Sequence, residues 1–69
     1  MRYSIIDTKK GKEMGFDPKC HRLSKDGSRM VVNECELVKT GKTPEEAAVL
    51  LGGELLSEGA CMQQINKMI

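Results

Sequence analysis

A small α+β fold, with an antiparallel sheet of about three strands followed by two helices packed on one face, is what this 69-residue chain predicts. Three observations carry that expectation. Residues 2–7 and 29–37 are strand-like runs containing β-branched side chains. Asp26-Gly27 stands between two such runs, and the second half of the chain opens with a strong helix-start signal.

The first strand is expected at residues 2–7 (RYSIID), where Tyr3 and Ile5 alternate with Ser4 as a half-buried strand requires. Residues 8–13 (TKKGKE) form a lysine-rich run centred on Gly11 and are expected as a polar loop. Pro18 biases Asp17 away from helix, so residues 14–18 should be irregular, with Phe16 reaching the core from a loop. A hairpin follows, with strands at 19–24 and 29–37. Asp-Gly between them fits a turn that needs positive φ at both central residues. Residues 34–39 allow two readings: Cys35 and Leu37 continue the alternation of Val31 and Asn33, or Asn33 caps a short helical turn. The longer strand is the expectation here.

Thr43-Pro44-Glu45-Glu46 has the form of a capping box with proline at the first helical position, and Gly52-Gly53 supplies a stop. A helix is therefore expected over residues 44–51. Ser57 can cap a second helix, at residues 58–68, in which Cys61, Ile65 and Met68 recur at i, i+4 and i+7 with Met62 and Ile69 widening the stripe. One helix running through both glycines would cost about 2 kcal/mol relative to two alanines.

Composition narrows the function. At 39% hydrophobic and 30% charged residues the chain is globular in type, and its length suits a single domain, residues 1–69. It contains no apolar run of membrane-spanning length and no signal-peptide pattern at Met1-Arg2-Tyr3-Ser4, so the expected location is cytoplasmic, with no membrane partner. Three cysteines, at widely spaced positions 20, 35 and 61, are expected to be reduced thiols rather than a disulfide framework. Charge is divided along the chain: residues 1–43 hold ten Lys or Arg against six acids, and residues 44–69 hold one Lys against four Glu.

The candidate chemistries are weak. Gly41-Lys42-Thr43 looks like the end of a phosphate-binding loop, but the glycine required five residues earlier is Glu36, and Pro44 removes an amide. Cys20, His21, Cys35 and Cys61 are metal-ligating types without a C-x-x-C pair, and neighbours on a strand face opposite ways. For the same reason Cys20 cannot be activated by His21, and no third orienting group completes a nucleophile with Cys35. No catalytic residue, metal or cofactor is expected.

The run TPEEAAVLLGG resembles the first helix of helix-turn-helix domains of the excisionase and MerR-like kind. The resemblance implies that residues 44–51 form a supporting helix and that the helix after Ser57 reads the major groove of DNA, with Gln63, Gln64 and Asn66 facing bases. That helix carries a single lysine, Lys67, so phosphate contacts would fall instead to Lys9, Lys10, Lys12, Lys19, Arg22, Lys25 and Arg29.

The expected function is accordingly non-enzymatic. A small protein acting through protein contacts, a second copy of itself being one candidate partner, would use the terminal stripe Cys61, Met62, Ile65, Met68 and Ile69. The alternative is a small DNA-binding accessory protein.

Overall fold

The computed structural model of the protein describes residues 1–67. Strand β1 (Tyr3–Asp7) leads into helix α1 (Thr8–Glu13), and strand β2 (Arg29–Asn33) into the single-turn helix α2 (Glu34–Leu37). Helix α3 (Pro44–Leu50), strand β3 (Leu55–Leu56) and helix α4 (Glu58–Lys67) follow, with 3-10 turns at Pro18–Cys20 and Val38–Thr40. The three strands form one antiparallel sheet in the order β2-β1-β3, which is the α+β class the sequence predicts.

Side chains alternate across a sheet, and here both faces are apolar. In the β1–β2 register Ile6 lies opposite Met30 and Ser4 opposite Val32 on one face, while Ile5 lies opposite Val31 and Tyr3 opposite Asn33 on the other. The first face, with Leu37, Ala47, Ala48 and Leu51, forms the larger core, against which Phe16 and Leu55 pack. The second packs Ile5 and Val31 on Cys61 and Ile65 of α4, flanked by Tyr3 and Leu56. Helices α3 and α4 therefore cover opposite faces, not one face as expected. Burial on both sides is what turns consecutive apolar residues such as Met30-Val31-Val32 into one strand. The accessible surface, 4302 Å², is close to the ~4,300 Å² that a tightly packed monomer of this mass exposes.

Four further expectations are corrected. Residues 8–13 are helical, not a loop: the Asp7 carboxylate accepts the Lys9 N–H and caps α1. Its Gly11 is buried, and a Cβ there would collide with the Met30 methyl, so glycine lets the helix lie on the sheet. Residues 19–24 do not form a strand; only Leu23 bridges to Met30, and the third strand is β3 at the opposite edge. Strand β2 ends at Asn33, where a complete capping box starts α2: Asn33 Oδ1 accepts the Glu36 N–H at 2.9 Å and Glu36 Oε1 accepts the Asn33 N–H at 3.3 Å. At α3 only half of the expected box forms. Thr43 Oγ1 accepts the Glu46 N–H, but the Glu46 carboxylate bonds the Thr43 hydroxyl and not its amide.

The end of α3 positions β3. Gly52 has φ of 87° and donates its N–H to Val49 O, while the Gly53 N–H reaches Ala48 O, the paired bonds of a Schellman stop. Gly53 then passes so close to β1 that a Cβ would press on Ile5 O and Ser4 Oγ. Arg29 secures the same junction: its Nη2 donates to Ile5 O at 3.1 Å and to Gly52 O at 3.0 Å, tying β2, β1 and the α3–β3 connection through one guanidinium.

Two glycines test this packing in opposite directions. Gly53→Ala should lower stability by about 2 kcal/mol in urea unfolding, because the obstructing atoms include backbone. Gly59→Ala, in α4 with open space around the new methyl, should raise it by about 0.5 kcal/mol. Equal effects at the two sites would contradict the close approach at Gly53.

Candidate functional site

Helix α3 carries its small residues inward and its large ones outward. Ala47 and Ala48 are buried against the sheet, which brings the helix backbone close to Ile6, Met30 and Val32. Val49 and Leu50 are consequently turned away from the core and stand 71% and 57% exposed. Met14, just beyond α1, is 47% exposed. A cleft of about 180 Å³ separates that turn from α3, lined by Met14, Thr40, Lys42, Ala47, Leu50 and Leu51. A shallower depression beside it is lined by Glu45, Glu46, Val49 and Leu50. The result is an apolar surface with carboxylates and a lysine at its margin.

His21 forms the most connected polar cluster. Its Nδ1 lies 2.8 Å from Asp17 O and its Nε2 2.5 Å from Glu36 Oε2. The ring meets Phe16 edge-on, with centroids 6.0 Å apart. Asp17 Oδ1 caps the 3-10 turn before His21 by accepting the Lys19 N–H, and Cys20 Sγ lies 3.7 Å from Asp17 Oδ2. A carbonyl and a carboxylate only accept, so the arrangement suits an imidazolium that donates from both nitrogens. Burial alone would push the His21 pKa down; the bond to Asp17 O and the interaction with Glu36 outweigh it, and the net shift is upward. Because Glu36 also closes the capping box of α2, this contact pins the irregular segment before β2 to the start of that helix. The cluster is a latch, with neither ring nitrogen free to act as a base.

The residues expected to act meet different fates. Cys61 and Ile65 are buried beneath the sheet and Met62 is half-buried, so the core of the proposed terminal stripe is the domain's own core and not a surface. Met68 and Ile69 lie outside the described residues. Burial also pushes the Cys61 thiol pKa up, whereas Cys20 and Cys35 are exposed free thiols.

The helix-turn-helix arrangement is not formed. Strand β3 intervenes between α3 and α4, which lie on opposite faces of the sheet. Of the seven basic residues, Lys9, Lys12 and Arg29 line one depression, and Arg29 is also held by its carbonyl bonds. Arg22 is drawn onto α4, donating to Asn66 Oδ1 at 2.6 Å and to Met62 Sδ at 3.6 Å. Lys10, Lys19 and Lys25 stand exposed, with no salt bridge among the described residues.

Sequence reasoning missed the surface on α3 because AAVLL reads as a core stripe. The available signal was the order of sizes, two alanines followed by bulkier residues. Among the described residues, no group of three or more His, Cys, Asp or Glu side chains is placed to hold a metal ion, and no helix is long and apolar enough to cross a membrane. Comparisons with protein-family models, curated proteins and solved structures gave no match.

The latch has a pH signature. A histidine whose folded pKa is raised contributes stability that is fully present below the ordinary value of 6.5 and is lost as pH rises through the higher folded value. Thermal unfolding followed upward from mildly acidic pH should show this decline, and His21→Gln should flatten it. An identical pH profile for the variant would show that the latch does not depend on the proton.

Proposed function

We propose that the protein is a non-enzymatic interaction module that docks a protein partner on the outer face of α3, with a second copy of the chain as the first partner to test. The observation that carries this reading is the inversion of α3, which leaves Val49 and Leu50 outside beside the cleft edged by Met14. Contiguous exposed apolar surface with a polar margin is characteristic of docking sites, and a flexible methionine at its edge suits adaptable packing.

Size adds a reason. A domain this short buries only about 60% of its unfolded surface, less than larger domains do, so covering α3 would extend a limited core. The His21 latch supports a non-enzymatic role, since the chain's one histidine is bonded at both ring nitrogens.

Sedimentation equilibrium tests the self-association form of the proposal. The native chain should show reversible, concentration-dependent dimer formation, and Leu50→Glu should sediment as a monomer. Because Leu50 is largely exposed, that substitution should change folding stability by no more than about 0.5 kcal/mol. A native chain that remains monomeric at all concentrations would overturn the homodimer, and a Leu50→Glu chain that still dimerises would move the interface off α3.

A further inference from the structure

On the face of the sheet that carries α4, a depression of about 290 Å³ opens where the Gly52-Gly53 connection passes β1. Its two charged lining residues have opposite signs, Arg29 from β2 and Glu54 at the approach to β3. They are not paired with each other, and neither takes part in a salt bridge among the described residues. Buried Ile5 and half-buried Leu56 supply the apolar part of the lining, and Gln64 of α4 adds an exposed amide.

Arg29 is set in place before any ligand arrives. Its Nη2 donates to Ile5 O and Gly52 O, carbonyls of two residues that line the depression, so the guanidinium is fixed at this wall. Nη1 makes no hydrogen bond among the described residues and, unlike Nε, is not buried, so its N–H groups face solvent unpaired. Asp7 lies opposite Arg29 in the β1–β2 register, but its carboxylate caps α1 through the Lys9 N–H and forms no salt bridge with the guanidinium. A guanidinium is a strong donor to a carboxylate, and one already immobilised loses little side-chain freedom on binding.

Glu54 determines which carboxylate fits. A simple anion would be repelled by it, whereas a ligand with an ammonium beside its carboxylate meets both charges at once. The volume lies near the lower end of the range for small-molecule pockets, which suits a ligand of few heavy atoms. Ile5 and Leu56 suit an aliphatic group on it.

We propose that this depression binds a free α-amino acid with a small aliphatic side chain, its carboxylate on Arg29 Nη1, its ammonium on Glu54 and the Gln64 amide across from them on α4. The site is separate from the docking face on α3 and does not depend on it.

Amide chemical shifts of the native chain, titrated with L-valine at constant pH and ionic strength, test it. Saturable shifts confined to residues 5, 29, 52–54 and 64 are expected. Isovalerate, which lacks the ammonium, and isobutylamine, which lacks the carboxylate, should each bind about tenfold more weakly, the effect of losing one charge-assisted contact. Because Arg29 also ties the fold together, its part is read from isobutylamine and not from a substitution. Glu54→Gln should weaken valine binding about tenfold and at the same time strengthen isovalerate binding, a reversal that altered packing would not produce. Glu54 is exposed, and an unchanged melting temperature of its variant separates loss of binding from loss of fold. Absence of saturable shifts at millimolar valine would overturn the proposal. So would isovalerate or isobutylamine binding as tightly as valine, or a Glu54→Gln chain that binds valine as the native chain does.

Discussion

Strands β1 and β2 present apolar side chains to both sides at once, and the rest of the molecule is arranged to cover them. Ile5 and Ile6 are neighbours in sequence but face different cores, as do Val31 and Val32. A sheet wetted on one side could not carry this pattern, because every second residue would be apolar and exposed. Covering one face requires α1, α2 and α3; α4 covers the other.

The same constraint explains the polar clamps. With only two aromatic residues and two small cores, the long segment between α1 and β2 has few apolar contacts to hold it. His21 secures that segment to α2, Arg22 secures its middle to α4, and Arg29 joins β2 to the turn after α3. Each clamp uses a charged or chargeable side chain directed at a carbonyl, amide or carboxylate. Arg2 adds a weaker version at the surface, where its guanidinium meets Glu34 and Glu45 and solvent screens the pairs.

Local signals made much of this fold legible. The α+β class, β1, the start and end of α3 and the body of α4 follow from alternation, a capping threonine, paired glycines and helical spacing. What escaped depended on distant contacts. Nothing local announces that Gly11 lies against Met30, so the lysine-rich segment around it reads as a loop. Residues 19–24 have strand composition, but the turn chemistry of Asp26 and the pull of His21 toward Glu36 leave only one bridge. Asn33 and Glu36 did carry the signal for α2, and it was outweighed by an alternation that continues past the true end of β2. The site was less legible than the fold. The outward face of α3 depends on how closely two alanines approach the sheet, and the gathering of Lys9, Lys12 and Arg29 depends on the β1–β2 register.

The central strand is also the first to appear in the chain, and this bears on how folding proceeds. Ser4 pairs with Leu55 across most of the sequence, and Tyr3 pairs with Asn33 across almost half of it. No hairpin of adjacent strands can nucleate the sheet, since α1 and a long irregular segment separate β1 from β2. Loop closure must be met before the pairing returns any free energy, which gives this small protein a high contact order for its length. Its sheet should therefore assemble late and as a unit, with few stable fragments along the way.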